Sequence, residues 1–321
     1  MMKRVSILLL ALVPTMLWAQ FAPEAGVAGT TAMHADSSAF VAWATGCTVD
    51  RGPQQIDDLS LGLVSYGADD DALGKADNMV VSLGDGGTAV LTFASPICNQ
   101  QGPDFAVFEN PFHNAPHCFL ELAFVEVSSD GENYVRFPAV TNVPFDEQMG
   151  GFGVMDATLI HNFAGKYEVL YGTPFDLDEL EDNALLDKNH ITHIRLVDVI
   201  GNINPEYATY DSEGHIVNDP WPTPFWSSGF DLDAIGVIHD IAHYSVPENG
   251  EETIAVYPNP VRDRLTVKAD NLQSVEVYNL VGQLVMSTTS AVVAMDELNQ
   301  GIYFVRITAD GQTVTKRIVK Q

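Results

Sequence analysis

Hydrophobic and polar residues alternate with a period of two along much of this chain. The runs Thr88–Phe93, Phe105–Phe108, Leu122–Val127 and Ile194–Val199 are rich in β-branched and aromatic residues, and turn-forming residues separate them. Short strands spaced by turns are typical of β-sandwiches. The pattern therefore predicts an all-β protein, with one short helix over Asp178–Leu186.

Two glycine-containing turns are predicted to be hairpins. Gly84-Asp85-Gly86-Gly87 contains Asp-Gly, a pair that favours the positive φ angles of tight hairpin turns. Ser128–Tyr134 ends one strand and begins the next. A last strand is expected over Gly229–Val237 of the same sandwich.

Hydrophobic and polar residues also alternate clearly in the last seventy residues. Leu265 and Val267 point one way between polar neighbours, and Tyr303, Val305 and Ile307 repeat the pattern. This segment predicts a second, small all-β sandwich over residues 253–321. Residues 246–252, which combine proline, glycine and acidic residues without periodicity, are predicted to be a flexible linker.

The first nineteen residues have the three parts of a secretory signal peptide. Lys3 and Arg4 precede a short apolar stretch, and Leu17-Trp18-Ala19 places a small residue at the cleavage position. We expect a mature chain beginning near Gln20, with an acidic domain over residues 20–245. No later apolar run reaches the ~18 residues of a membrane-spanning helix, so no transmembrane segment is expected in the mature protein.

Charge is concentrated in the middle of the chain. The whole chain has 15 Lys and Arg against 43 Asp and Glu, a net charge of −28. Residues 20–250 contain six basic and 35 acidic residues, whereas residues 251–321 are almost neutral. Nucleic acid and anionic membranes are poor partners for such a surface, because binding them requires cations that neutralise phosphate.

The C-terminal segment resembles a known sorting domain. Tyr257-Pro258-Asn259-Pro260, Tyr278–Gly282 and Gly301–Val305 precede a basic tail in the order found in the type A sorting domain of the type IX secretion system of Bacteroidota. The resemblance covers residues ~253–321 and implies an Ig-like sandwich. It also implies the type IX machinery and its sortase-like peptidase as partners, and a product that is secreted or held at the outer cell surface.

The acidic domain carries a second resemblance. Val125–Phe137, with Ser-Ser-Asp-Gly at its centre, and the later strand His193–Asp198 are similar to discoidin-like, galactose-binding-type jelly rolls. The wider sequence resembles uncharacterised bacterial cell-surface proteins. The resemblance implies a jelly-roll β-sandwich and no established activity.

Acidic residues at strand ends are candidate Ca²⁺ ligands, since Ca²⁺ takes six to eight oxygen ligands. The alternative is that these side chains cap turns by accepting backbone N–H groups. Asp231 and Asp233 also suggest the paired carboxylates of a glycosidase as an alternative. The candidate metal ligands are Asp85, Asp104, Glu109, Asn110, Asp198, Asp231 and Asp233.

Aromatic residues near the last strand are candidate ligand contacts, because aromatic rings can stack on sugars or other planar groups. The alternative is that the proline-stiffened loop 221–226 folds back as a plug over the end of the sandwich. The candidate ligand-binding residues are Trp221, Phe225, Trp226, Tyr207 and Tyr210.

The remaining chemistry-bearing residues give weaker signals. His113 and His117-Cys118 are interpreted as loop residues, with a Zn²⁺ or Cu site as the alternative. Three cysteines, Cys47, Cys98 and Cys118, permit at most one intramolecular disulfide. No catalytic residue is assigned. We expect a secreted, non-enzymatic protein that binds a glycan or other nutrient-related ligand with Ca²⁺ support, with a glycan hydrolase or a structural adhesion protein as alternatives.

Overall fold

The computed structural model describes residues 21–244, 254–280, 282–309 and 312–321. The predicted signal peptide and the predicted linker lie outside the described residues. The chain divides into two compact units, Met1–Tyr244 and Ser245–Gln321. We call the first the body and the second the tail domain.

The described part of the body is built almost entirely of strands. A single α-helix, α1 (Ile241–Tyr244), and four short 3-10 helices at Leu59–Leu61, Asp69–Ala72, Ala157–Leu159 and Leu177–Glu179 are its helical elements. Its strands are β1 (Met33–His34), β2 (Ala42–Trp43), β3 (Gly46–Asp50), β4 (Val81–Ser82), β5 (Thr88–Ile97), β6 (Phe105–Glu109), β7 (Phe112–Asn114), β8 (His117–Phe119), β9 (Ala123–Ser128), β10 (Val135–Arg136), β11 (Val140–Thr141), β12 (Ile160–His161), β13 (Tyr171–Phe175), β14 (Ile191–Asp198) and β15 (Asp231–Val237).

Two larger antiparallel sheets form most of the described body, and two two-stranded sheets, β7-β8 and β11-β12, accompany them. One has the order β1-β13-β6-β15-β2, with β4 also paired to β15, and the other has the order β10-β9-β14-β5-β3. The long strands β5, β6, β9, β13, β14 and β15 alternate between the two sheets along the chain. Strands that cross repeatedly between two packed sheets make a β-sandwich, and the predicted all-β class is confirmed.

The core lies between the two sheets. Leu91 of β5 and Ile194 of β14 pack in one cluster with Leu232 of β15, and all three are fully buried. The rings of Phe105 and Phe175 stack at 5.4 Å in the same cluster. Every residue of β6 and β15 is buried. Strands buried on both faces are expected to be continuously apolar, so any carboxylate in β6 or β15 is exceptional.

The predicted helix over Asp178–Leu186 is wrong. The structure has only a 3-10 turn, Leu177–Glu179, in which the Asp178 N–H donates to the Asp176 side chain. The Asn183 side chain accepts from the Leu185 N–H further along. Short polar side chains that accept from nearby N–H groups compete with helix formation for those donors. Here the side-chain hydrogen bonds form and the α-helix does not.

One predicted hairpin is confirmed and the other is wrong. Val135 pairs with Val127 across the turn that contains Asp130, as predicted. At Gly84–Gly87, however, β4 pairs with β15 whereas β5 pairs with β3 and β14. The Asp-Gly turn therefore carries the chain from one sheet to the other. The turn residues predict that the chain reverses direction, but they do not predict which strands will pair with the strands before and after the turn.

The tail domain has two antiparallel sheets around a small core. Leu265, Val275, Val305 and Ile307 are fully buried in it, as the period-two alternation predicts. The sheet orders are β16-β17-β20 and β19-β18-β21-β22. The strands are β16 (Ala255–Tyr257), β17 (Arg264–Lys268), β18 (Leu272–Asn279), β19 (Leu284–Thr288), β20 (Val292–Ala294), β21 (Gly301–Ala309) and β22 (Gln312–Lys320).

Truncating Phe175 to alanine should destabilise the body by about 3–5 kcal/mol, because it leaves a cavity beside two aromatic neighbours. Leu185→Ala is the matched control, since Leu185 is 60% exposed and should cost under about 0.5 kcal/mol. All tryptophans of the chain precede residue 245, so tryptophan fluorescence during urea unfolding follows the body. Equal losses for both variants would contradict the assigned core.

Candidate functional site

A pocket of about 220 Å³ opens where β6 ends and β15 begins. We call it the aromatic pocket. Its lining combines phenylalanine rings with two acidic side chains and small polar groups. The lining residues are Asn110, Phe112, Phe119, Glu121, Gly151, Phe152, Thr223, Phe225, Ser227 and Asp231.

Four phenylalanine rings follow one another along this pocket. The ring centroids of Phe112 and Phe119 are 5.0 Å apart and stacked, those of Phe119 and Phe152 are 6.1 Å apart, and those of Phe152 and Phe225 are 5.9 Å apart. Phe112, Phe152 and Phe225 are 49%, 66% and 42% exposed. A row of exposed aromatic rings is unusual on a protein surface, which makes this pocket a candidate binding site.

The loop that carries Phe152 is fitted closely against the loop of Phe225. A Cβ atom at Gly151 would lie 2.2 Å from the Pro222 carbonyl oxygen, so only glycine permits this approach. The Trp221 N–H donates to the Met149 carbonyl oxygen at 3.2 Å, which joins the same two loops. The two aromatic side chains therefore have a fixed backbone support.

Four buried carboxyls lie beneath the rings, and we call them the acid cluster: Glu109, Glu121, Asp219 and Asp231. Register places Glu109 of β6 opposite Leu232 of β15, next to Asp231. Asp231 accepts a hydrogen bond from the Ser82 hydroxyl, and the Leu122 N–H donates to Asp219 at 3.0 Å. Pairing of β6 with β15 thus brings acids from separate parts of the chain together.

Burial raises the pKa of every member of the acid cluster. Desolvation is the largest cause for Glu109 and Glu121, and repulsion by Asp231 is the next. The pKa of Asp231 rises to about 7 through burial, although hydrogen bonds from Ser82 and Asn110 lower it in part. Burial also raises the pKa of Asp219 well above its usual range. The raised pKa values favour the protonated forms of these groups.

The basic residues of the body do not neutralise the acid cluster. Arg136 and Arg195 both bind Glu126, on the other sheet. Lys166 donates to the Ile160 carbonyl and Lys188 to the Leu180 carbonyl, while Lys75 pairs with Asp36. Arg51 donates to the carbonyls of Tyr66, Gly67 and Ser82, and it lowers the pKa of Asp231 only as the smallest of the causes.

Oxygen atoms of the acid cluster lack hydrogen-bond partners. Both carboxyl oxygens of Glu109 and the Oδ1 atom of Asp219 are buried without one. Such atoms are rare and call for a bound ion, water or proton. Hard oxygen donors of this kind suit Ca²⁺. No three carboxyls of the cluster have oxygens that all lie within 4.8 Å, so a bound ion would have to draw them closer.

The seven predicted metal ligands do not converge on one point. Asn110 and Asp231 line the aromatic pocket, and Glu109 precedes Asn110 on β6, paired opposite Leu232 next to Asp231. Asp104 lies at the opposite end of β6, where it accepts from the Gln100 and Leu177 N–H groups and binds His239 at 2.8 Å. A five-residue strand separates these two groups.

The other three predicted ligands hold backbone segments. Asp198 accepts from the Gly86 and Phe230 N–H groups, and Asp233 accepts from those of Asp77 and Asn78. Asp85 accepts from the Ile56 N–H and from the Trp221 indole. This is the turn-capping role stated as the alternative. Asp233 does not line the aromatic pocket, so the suggested pair Asp231 and Asp233 does not face one ligand there.

Of the five predicted aromatic contacts, only Phe225 lines the aromatic pocket. The Trp221 indole donates to Asp85 at 3.3 Å and is turned inward, as the plug interpretation expects. Trp226 is 57% exposed and packs edge-on against Tyr66. Tyr207 and Tyr210 lie on the segment 204–216, away from the pocket lining.

Sequence reasoning missed the two acids and three phenylalanines that complete the site. Glu121 carried a usable signal, because it is the only charged residue in the otherwise apolar run Cys118–Val125. A carboxylate inside an apolar run that is predicted to be buried either has a charged partner or has a function. No comparable sequence signal marks the other four residues, because only packing between distant segments brings them to the site: Asp219, Phe112, Phe119 and Phe152.

A larger cavity of about 520 Å³ lies elsewhere on the body, lined among others by Phe21, His161 and Lys166. Burial lowers the pKa of Lys166 to about 8, but its ammonium donates to the Ile160 carbonyl at 2.7 Å. Glu179 in this cavity lies 3.4 Å from His161 and accepts from Asn162. These charged groups have hydrogen-bond partners, whereas both carboxyl oxygens of Glu109 and the Oδ1 atom of Asp219 have none.

Comparison with known proteins identifies the tail. Residues 255–321 match the family described as the secretion system C-terminal sorting domain, and this confirms the predicted type IX sorting tail. The tail marks the chain for export and for attachment to or release at the cell surface. No helix among the described residues is long and apolar enough to cross a membrane.

One curated protein shares a short similarity with the chain. The ulvan lyase NLR42 of Nonlabens ulvanivorans is 33% identical over 84 residues. The match covers 23% of this chain and 16% of the lyase. The predicted discoidin-like resemblance of the body finds no support in these matches and stays a prediction.

The body should lose stability as pH rises in the absence of divalent cations. Acid-cluster carboxyls have pKa values raised by folding, so the folded state binds more protons than the unfolded state. The free energy of unfolding then falls from about pH 4, where unfolded carboxyls ionise, through about pH 7, the pKa of Asp231. Urea unfolding in a chelator at pH 4–8 measures this slope.

Glu109→Gln should flatten that slope by up to about 1.4 kcal/mol per pH unit, because it removes one such proton. The variant should be more stable than the natural chain at pH 8. Glu132→Gln, at an exposed turn position, is the matched control and should leave the slope unchanged. A slope that Glu109→Gln does not alter would contradict the assigned ionisation.

Proposed function

We propose that the body is a non-enzymatic binding protein that acts outside the cell. It takes a glycan or other nutrient-related ligand in the aromatic pocket, and Ca²⁺ held by the acid cluster supports the binding. One observation carries the proposal: a row of exposed phenylalanines lines the same pocket as Glu121 and Asp231, and among the described residues no basic side chain forms an ion pair with any acid-cluster carboxyl.

We favour Ca²⁺ binding by the acid cluster over protonation alone, because the protein is exported from the cell. Outside the cell Ca²⁺ sites need only dissociation constants of about 10⁻⁴–10⁻³ M. Glu109, Glu121, Asp219 and Asp231 would supply carboxylate oxygens, and Asn110 an amide oxygen. A bound ion would supply the positive charge that the surroundings lack.

The aromatic pocket suits a small unit of a larger molecule. Its volume of about 220 Å³ lies below the range of about 300–1,000 Å³ for pockets that enclose whole drug-sized ligands. Phenylalanine rings offer flat apolar faces to the C–H faces of a sugar ring. The polar groups Asn110, Thr223 and Ser227 in the lining can hydrogen-bond hydroxyls. A single sugar ring of a glycan chain fits these features.

The sorting tail and the short similarity to an ulvan lyase support a glycan-related role at the cell surface. Type IX export delivers the body to the side of the membrane where polymeric glycans are met. Removal of the tail by a sortase-like peptidase would leave the body as the finished product, consistent with a division into two compact units.

A glycan-cleaving enzyme is the second candidate, and one observation favours it. Glu121 and Asp231 both line the aromatic pocket and have raised pKa values, as a general acid requires. Incubation with glycans, followed by an assay for new chain ends, separates the two functions. Cleavage that Asp231→Asn abolishes would establish the enzyme and refute the non-enzymatic role.

Ca²⁺ should raise the melting temperature of the exported chain at pH 7.5. At 100 times its dissociation constant a ligand stabilises by about 2.7 kcal/mol, which shifts a body of this size by several degrees. Glu109→Gln and Asp231→Asn should each reduce the shift, whereas Glu132→Gln should not. A melting temperature that neither Ca²⁺ nor a chelator changes would remove the ion from the proposal.

Phe152→Ala and Phe225→Ala should each weaken glycan binding about tenfold or more, because each removes one exposed stacking face. Phe304→Ala, at a 37% exposed ring in the tail domain, is the matched control. A glycan and small-ligand array with Ca²⁺ present finds the ligand, and titration measures its affinity. Absence of any saturable binding would refute the proposal.

A further inference from the structure

A second group of metal-type donors lies beside the aromatic pocket. The strands β7 and β8 form a hairpin in which His113 is directly opposite Cys118. The Cys118 Sγ atom lies 3.8 Å from the His113 Nδ1 atom. Glu24, from the first described residues of the chain, reaches the same place, and its Oε1 atom lies 2.9 Å from the His117 Nδ1 atom.

The donor atoms of Glu24, His113 and Cys118 all lie within 4.8 Å of one another. Among the described residues, no other trio of histidine, cysteine or acidic side chains meets this distance. Each donor comes from a different place: Glu24 from an N-terminal loop, and the other two from facing strands of a hairpin. The interpretation of His113 and His117 as loop residues therefore needs revision, because both lie in paired strands.

We propose that Glu24, His113 and Cys118 bind a transition-metal ion of the Zn²⁺ class. A thiolate, an imidazole and a carboxylate are the ligands that Zn²⁺ uses, and three protein ligands leave a fourth position open. The sulfur donor distinguishes this site from the all-oxygen acid cluster, since thiolates select Zn²⁺ or copper over Ca²⁺.

His117 is a positioning residue of this site. Its hydrogen bond to Glu24 orients the carboxylate, in the way that outer partners orient metal ligands. Ala115-Pro116 forms the turn between the two strands. The strand pairing, rather than a helical repeat, therefore supplies the geometry that brings His113 and Cys118 together.

Metal binding must displace a proton from Cys118. Burial, with the charges of Glu24 and Glu168 adding to it, raises the pKa of this thiol to about 11. The reaction is Cys–SH plus M²⁺ giving Cys–S–M⁺ plus H⁺, with no oxidant or reductant involved. One proton therefore leaves with each ion that binds.

The position of the site links it to the aromatic pocket. Phe112 and Phe119 line the pocket, and they are the immediate neighbours of His113 and Cys118 in the same hairpin. An ion bound here would tie this hairpin to the N-terminal segment. It would thereby hold two of the four pocket rings in place.

Cobalt provides the direct test, because a Co²⁺–thiolate bond gives a charge-transfer absorption band that oxygen and nitrogen ligands do not. The exported full-length chain, kept reduced, is titrated with Co²⁺ in the presence of excess Ca²⁺. We expect the band in the natural chain and in Cys47→Ser, the matched thiol control, but not in Cys118→Ser. Absence of the band in the natural chain, or its survival in Cys118→Ser, would overturn the proposal.

Competition with a chromophoric chelator then measures Zn²⁺ affinity. His113→Ala and Glu24→Gln should weaken it by about 100-fold, and His117→Ala by about 10-fold, since outer partners of metal ligands contribute 10–100-fold. His190→Ala, at an exposed position outside the trio, is the control. His113 is itself exposed, so its variant tests the site even where Cys118→Ser fails to fold. Unchanged affinity in His113→Ala would refute the site.

Discussion

The structure depends on how residues 20–250, with six basic and 35 acidic side chains, bury carboxylates. Most of the buried acids accept N–H groups of the backbone, as Asp104, Asp198 and Asp233 do. Each of these joins segments that are distant in sequence, so a charge that would destabilise the core instead fixes its loops. The N–H bonds lower the pKa values of these carboxyls and so offset part of the effect of burial, which still raises the pKa of Asp198 well above its usual range and that of Asp233 to about 6.

The acid cluster departs from this arrangement. Glu109 has two buried oxygens without partners, and its neighbours repel it. Burying such a group costs several kcal/mol unless a proton or an ion compensates. Nothing in the packing of β6 requires a carboxylate at this position, because the rest of the strand is apolar. We base the proposed binding site on this arrangement, in which a costly carboxyl ends an otherwise apolar strand close to exposed aromatic rings.

Local sequence pattern predicts the strands and the second domain well, because alternation at Leu265 and Val267 or at Ile194 and Leu196 reports directly on burial. It predicts the site poorly. Glu109 and Asp231 were found as acids at strand ends, yet only the β6–β15 register shows that they meet while Asp104 does not. The failed hairpin at Gly84–Gly87 has the same cause, since strand partners are chosen by the whole sheet.

Residues 109–121 connect the features of the body that lack a purely structural explanation. This segment supplies Glu109 and Glu121 to the acid cluster, Phe112 and Phe119 to the aromatic row, and His113 and Cys118 to the hairpin. In sequence, Phe112 lies between Glu109 and His113, and Phe119 lies between Cys118 and Glu121. An ion bound at the acid cluster or at the hairpin would therefore restrict the movement of these two rings. On the two proposals together, Phe112 and Phe119 would be positioned from two sides, by the acid cluster and by the hairpin. This coupling would let Phe112 stay half-exposed in the pocket without being buried in the core.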